Sequence, residues 1–313
     1  MTRISKGGLL AVAMGAVLAF PAAAQTVALG TTEGGATGQI ATAIASVVSA
    51  SGELQVRPQV SANTSQYIPL VNAGRLEFGI ANYPQTWYAI DGSGMSDVAN
   101  PNLRVVAALF PFQAGIVAAE SKGVTGFSDL AGLNVPRFPD GSLGDYIVRM
   151  ALNAGGLTYA DVTEVPIANF PRMYDAIKQG QTDISIATIG SKPTYDLEAA
   201  LGDIQFIPFD EDAAPLLAEV LPGTYLREIA ANEELPGLDS ATRVFAYDYL
   251  LFAHKDVSDD IVTRMAKAMY EGAEELKATS PLWAEYDPAT IGKPLELEYH
   301  PAAAAFYQSV ATN

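Results

Sequence analysis

Hydrophobic and polar positions along the chain switch repeatedly between a strand period and a helix period. Thr26 to Gly30 (TVALG) is a short β-branched run that breaks into a glycine-rich turn, and Gln39 to Ser49 (QIATAIASVVS) follows with the density of a buried helix. Gln55 to Val60 alternates as a strand, Thr64 to Asn72 reads as a helix ended by Gly74, and Phe78 to Ala81 forms the next strand. Leu103 to Glu120 (LRVVAALFPFQAGIVAAE) predicts two apolar strands around Pro111. A second glycine-rich turn, Phe138 to Gly144 (FPDGSLG), leads into a helix over Tyr146 to Asn153. Arg243 to Ala253 (RVFAYDYLLFA) is a long strand-like run, and Asp259 to Ala278 reads as one helix with apolar residues at Ile261, Val262, Met265, Ala268, Met269 and Leu276. A last short helix follows Tyr299-His300-Pro301. Alternation of this kind predicts an α/β fold with much parallel sheet.

One segment echoes another. Leu70 to Asn82 (LVNAGRLEFGIAN) resembles Ala176 to Thr188 (AIKQGQTDISIAT), 106 positions on. Each runs from helix to glycine (Gly74, Gly180), then an acid (Glu77, Asp183), then a strand ending in Ile-Ala. The glycine supplies a left-handed helix stop. Two similar α/β lobes are the natural inference, and with no low-complexity linker they should be joined by crossing strands.

The first 24 residues fall outside this pattern. Arg3 and Lys6 precede an uncharged, mostly apolar stretch from Gly7 to Phe20, and Ala22-Ala23-Ala24 offers small residues before Gln25. That is the layout of a cleavable secretory signal peptide, too short to span a bilayer. Residues 1–24 are therefore read as a signal peptide and the rest as periplasmic.

Charge and composition then narrow the function. The 313-residue chain carries a net charge of −17, and loss of Arg3 and Lys6 leaves 16 basic against 35 acidic side chains, or −19. Such a balance opposes nucleic-acid binding and docking on anionic lipid. With no cysteine, thiol catalysis, thiolate metal sites and redox chemistry drop out. The two histidines, His254 and His300, have no partner at metal-ligand spacing and read as structural. There is no Gly-x-Ser-x-Gly elbow, Walker loop or zincin motif, and neither Glu296 with Glu298 nor Asp210 to Asp212 suggests paired acid and base. No enzyme, cofactor or metal centre is expected.

What remains is a set of polar loops before helices. Glu33 to Gly38 (EGGATG), Ser61 to Ser65 (SANTS) and Gly141 to Gly144 (GSLG) each lie where a strand hands over to a helix. There the first backbone N–H groups are unpaired and the dipole end is positive, so a carboxylate or phosphate can bind without lysine or arginine. Each loop alone also reads as a plain turn and cap. Three together point to an anion clamp at a cleft.

With these features the mature chain resembles the TAXI family, the solute receptors of TRAP transporters. The likeness runs in order through GGATG (Gly34 to Gly38), SANTSQYIPLVNAGRLEFGIAN, LRVVAALFP, FSDLAGLNV with PDGS, AIKQGQTDISIA, and LELEYHPAAAAFYQ. It implies a type II periplasmic binding protein fold of two lobes, each a mostly parallel sheet flanked by helices. Residues 25–122 and 243–313 would form lobe I and residues 123–242 lobe II. It further implies a monomer that closes on a small organic acid or an amino acid such as glutamate and delivers it to an ion-gradient-driven membrane permease. A receptor for an ATP-driven importer and a sensor-input protein are the alternatives.

The sequence departs from the family in its loops. Thr37-Gly38 replaces an aromatic pair, Glu33 stands at a usually small position, Ala62-Asn63 and Thr64 replace Gly-Gly-Ser, and Asn82-Tyr83-Pro84, then Trp87, replace Gln-Ser-Asp. The expected ligand-binding set is Glu33, Gly34, Gly35, Thr37, Asn63, Thr64, Asn82, Tyr83, Trp87 and Ser142, with Arg137, Arg172 and Lys192 as candidate cations for a carboxylate.

Overall fold

The structure, a computed structural model, describes residues 25–311; the expected signal peptide lies outside the described residues. The chain begins β1 (Gln25–Thr32), α1 (Gly35–Ala50), β2 (Leu54–Ser61), α2 (Thr64–Asn72), β3 (Phe78–Asn82), α3 (Tyr83–Asp91). It continues β4 (Leu103–Ala119), β5 (Asn134–Arg137), α4 (Leu143–Ala154), β6 (Thr163–Pro166), α5 (Phe170–Lys178), β7 (Ile184–Thr188), α6 (Lys192–Leu201). It closes β8 (Ile204–Phe206), α7 (Ala214–Val220), β9 (Tyr225–Ile229), β10 (Thr242–His254), α8 (Asp259–Glu271), α9 (Ala273–Lys277), α10 (Pro301–Ala311).

The main sheet runs β2-β1-β3-β10-β4-β7, with β8 beside β4 and β9 beside β10, while β5 and β6 pair separately. The parallel pairing expected from the sequence holds for β1 with β2, β1 with β3, and β5 with β6. The sheet as a whole is mixed, because β10 lies antiparallel to β3, β4 and β9, and β4 lies antiparallel to β7 and β8. The expected crossing strands are β4 and β10. They pair along most of their length, and β3 joins β10 at one end while β7 joins β4 at the other.

Two boundaries differ from the sequence reading. Pro111 does not divide β4; it pairs opposite Asp248 within one continuous 17-residue strand. A proline removes a donor but its fixed φ suits extended chain, and the register with β10 shifts only further along β4, where Leu109 and Val106 have no opposite residue. The helix expected over Asp259 to Ala278 divides at Gly272 into α8 and α9. A Cβ there would lie 2.6 Å from Val47 Cγ1 on α1, so glycine allows the chain to bend closely past that helix.

β3 and β7 are buried along their whole length, as expected of strands covered on both faces. Ile40 and Ile44 of α1, Met265 and Met269 of α8 and Ala303 of α10 share one core with the sheet. Among the described residues, no helix is long and apolar enough to cross a membrane.

Candidate functional site

β1 runs into α1, β2 into α2, β5 into α4 and β6 into α5, and the N-terminal ends of all four helices line one cavity of about 610 Å³. Ligands of open α/β sheets bind in this place, outside the carboxyl ends of the strands.

The α1 entrance depends on two glycines. Gly34 and Gly35 have φ of 79° and 65°, a left-handed backbone that turns the chain from β1 into the helix. Glu33 N–H donates to Ser61 O at 3.0 Å, which ties this loop to the one before α2. Neither Gly34 nor Asn63 caps its helix with a side chain, which leaves open the first-turn N–H groups of α1 and those of Thr64 and Ser65 in α2, while Gln66 N–H donates to Asn63 O at 3.3 Å. Across the cavity, Ser142 caps α4 by accepting from Asp145 N–H, and Asn169 caps α5 by accepting from Arg172 N–H.

Of the residues expected from sequence, Glu33, Gly34, Gly35, Thr37, Asn63, Thr64 and Ser142 line the cavity. Asn82 does not line it and acts from behind. Its Oδ1 caps α3 at Gln85 N–H (2.9 Å) and its Nδ2 donates to Gln85 Oε1 (2.8 Å), while Gln85 Nε2 donates to Thr64 Oγ1 (2.9 Å). Gln85 is itself a lining residue. Tyr83 and Trp87 stack on each other, with ring centroids 6.4 Å apart, but neither lines the cavity. Tyr83 is buried, and its ring fills the space where a Cβ on Gly223 would go.

The three candidate cations are placed elsewhere. Arg137 pairs with Asp140, with Asp145 at 2.5 Å and with Glu164 at 3.0 Å, and its guanidinium lies 4.1 Å over the Tyr159 ring. Arg172 is exposed and pairs with Asp175, and Lys192 is exposed and pairs with Asp196. None of the three lines the cavity, and no lysine, arginine or histidine is among its lining residues. The charged groups that do line it are acids: Glu33, Asp97 and Asp140. Nearby acids at i+3, i+4 or across the β5–β6 pair satisfy each cation, which a search for lone positive residues cannot see.

Sequence reasoning missed the aromatic part of the site. Phe112 of β4 and Tyr247 of β10 stack 5.2 Å apart, Tyr249 meets Phe112 edge-on at 5.0 Å, and Phe138 lies 5.2 Å from Phe170. All of these and Tyr174 line the cavity. Thr37 Oγ1 and the Tyr249 hydroxyl hydrogen-bond across from α1 to β10. Burial pushes the Tyr249 phenol up to about 12 against the opposing effect of Thr37, and burial likewise raises Tyr247 and Tyr174, so all three are neutral. The only advance signal was the i, i+2 spacing of Tyr247 and Tyr249, which puts both on one face of a strand.

His300 is buried, with Nε2 3.1 Å from Val257 O and Nδ1 accepting from Ala302 N–H, and neither His300 nor His254 lines the cavity. Among the described residues, no group of three or more His, Asp and Glu could hold a metal ion.

Solved structures with this fold include three proteins with or for small anions. MatC from Rhodopseudomonas palustris with bound malate aligns with a TM-score of 0.59 at 14% identity, covering 94% of this chain and 97% of that one. The binding protein component of an ABC phosphonate transporter from Pseudomonas aeruginosa gives 0.53 at 10%, covering 84% and 80%. The alkanesulfonate-binding protein SsuA from Xanthomonas axonopodis pv. citri bound to MOPS gives 0.52 at 14%, covering 93% of each. The fold is therefore α/β, of the type II periplasmic-binding-protein kind. The sequence profile of the NMT1-like family matches residues 30–310, and the chain belongs to that family.

Proposed function

We propose that this protein is an extracytoplasmic solute receptor, without enzymatic activity, that captures a small carboxylate-bearing solute and passes it to an ion-gradient-driven TRAP permease. One observation carries the ligand class. The N-termini of α1, α2, α4 and α5 converge on a cavity whose lining contains no basic side chain. Unpaired backbone N–H groups and the positive helix ends supply the attraction for an anion. Two of these helices follow β1 and β2 and two follow β5 and β6, which supports the two-lobed division at about residues 122 and 243. Closure between the lobes would complete the anion's shell.

The bound malate of MatC favours a carboxylate. The TRAP assignment rests on the TAXI resemblance of the loops and the His300-Pro301 segment. A second reading, a receptor for an ATP-driven importer of another oxyanion, has the sulfonate- and phosphonate-binding neighbours in its favour. An amino acid such as glutamate is the alternative carboxylate, with Glu33 meeting its ammonium.

A thermal-shift screen of residues 25–313 against carboxylates, amino acids, sulfonates and phosphonates tests the proposal. A true ligand at 100 times its Kd adds about 2.7 kcal/mol of stability. A shift with a sulfonate or phosphonate and none with a carboxylate would change the ligand class. No shift with any small anion would end the receptor reading.

A further inference from the structure

Two tyrosine hydroxyls in the cavity wall have no partner. Tyr247 is 1% exposed and lines the cavity, yet its hydroxyl makes no hydrogen bond with any described residue. The same holds for the hydroxyl of Tyr174, which comes from α5. Thr188, at the end of β7 and 5% exposed, also lines the cavity with an unbonded Oγ1. Tyr249 differs only because Thr37 takes up its hydroxyl. Buried polar groups in native proteins are nearly always hydrogen-bonded, and unpaired ones at a cavity surface are poised for what enters it. Three such groups here come from three separate elements, α5, β7 and β10, which would not leave them unpaired together by local accident.

The surroundings restrict what the entering group can be. Phe112, Phe138, Phe170, Ile147 and Ile186 make the neighbouring walls, so the body of the ligand is apolar. No cation lies among the lining residues, so a second full charge beside Tyr247 would be desolvated without compensation. The phenols are neutral donors, which suits a carbonyl or hydroxyl oxygen.

We infer that Tyr174, Tyr247 and Thr188 form a second polar subsite, next to the helix N-termini, that takes an uncharged oxygen on the apolar body of the bound carboxylic acid. The solute is then a hydroxy or keto acid with an aryl or similarly bulky body, and not a compact dicarboxylate. This rests on the carboxylate-receptor reading and specifies the ligand within it.

Isothermal titration with benzoate, 4-hydroxybenzoate, terephthalate and L-malate tests the inference. The native chain should bind 4-hydroxybenzoate about 5- to 10-fold more tightly than benzoate, the value of one added hydrogen bond, and bind terephthalate and malate less tightly than 4-hydroxybenzoate. Tyr247→Phe keeps the ring stacked on Phe112 and should abolish the preference for 4-hydroxybenzoate over benzoate, with Thr188→Val reducing it. Unchanged melting temperatures of the unliganded variants check folding. Malate or terephthalate binding more tightly than 4-hydroxybenzoate would overturn the subsite while leaving the carboxylate receptor standing. So would equal loss of both benzoates in Tyr247→Phe. Failure of all four probes while another carboxylate binds would overturn the subsite alone, and failure of every carboxylate in the wider screen would instead overturn the carboxylate reading on which it rests.

Discussion

Glu77 and Asp183 make the same contact in two different parts of the fold. Glu77 Oε2 accepts from Ala28 N–H of β1 at 2.7 Å, and Asp183 Oδ2 accepts from Asn134 N–H of β5 at 2.8 Å. Each follows by three residues a left-handed glycine, Gly74 with φ 67° or Gly180 with φ 69°, that ends a helix. The echo seen in the sequence is thus a repeated structural unit: helix, glycine stop, and an acid that fastens the incoming strand to its neighbour.

Asp183 should carry part of the acid sensitivity of the fold. Burial raises its carboxyl, but the Lys122 ammonium at 2.5 Å and the Asn134 N–H outweigh that and hold it below its ordinary 3.8. A depressed folded-state pKa gives stability that is present above the unfolded value, about 3.9, and lost as pH falls through the folded one. Asp183→Asn should cost roughly 1–3 kcal/mol in urea unfolding at pH 7 and lose less stability than the native chain between pH 5 and pH 3. Identical pH slopes for the two chains would remove Asp183 from the account.

Arg137 lies outside the cavity lining and is held by ion pairs within the fold. It shares the nearly buried Asp145 carboxylate with Arg149, whose Nε lies 2.9 Å away, and Gly141 N–H adds a third contact at 3.2 Å. Arg137→Ala should lower stability by roughly 1–3 kcal/mol, because Asp145 stays buried with one donor fewer. The salt dependence of carboxylate affinity, which a direct ion pair would set, should not change. Lys192→Ala removes only an exposed pair, worth about 0–1 kcal/mol, and should change neither melting temperature nor affinity. A tenfold loss of affinity in Lys192→Ala would return that residue to the site.

Gly35 offers a test of the α1 entrance with no steric complication. Its φ is 65°, and a Cβ added there would meet nothing within 4 Å. Gly35→Ala therefore imposes only backbone strain, about 1–2 kcal/mol, and should shift the first N–H groups of α1 away from the cavity. Unfolding and titration on the same variant should show loss of both stability and ligand affinity. Loss of stability with unchanged affinity would mean that the α1 N–H groups do not touch the anion.

What could be read from the sequence follows a physical division. The Gly34-Gly35, Asn63-Thr64 and Ser142 loops were recognisable because strand-to-helix turns need special residues, and all three line the cavity. The fourth N-terminus, at Asn169, was missed because β6 is only four residues long and its strand pattern is too weak to show a handover. Tyr247 and Tyr249 were hidden because β10 is buried on both faces, so residues facing a cavity look like residues facing a core. The place of the cations outside the lining was hidden for the opposite reason: Arg137 looked free in a chain where Asp145 and Glu164 reach it only after folding.

The absence of basic residues from the lining predicts an unusual salt dependence. A chain of net charge −17, with Glu33, Asp97 and Asp140 at the cavity, repels an approaching anion over long range, while the helix ends that hold it act only within the cavity. Raising ionic strength from 0.01 M to 0.15 M shortens the screening length from about 30 Å to about 8 Å. Screening should remove the repulsion first, so carboxylate association should become faster, by roughly 2- to 5-fold, with the dissociation rate nearly constant. A site built on a lysine or arginine would show the reverse, slower capture as salt rises. Stopped-flow fluorescence with a carboxylate identified in the screen separates the two, and a falling association rate would point to a basic residue that moves into the cavity on closure.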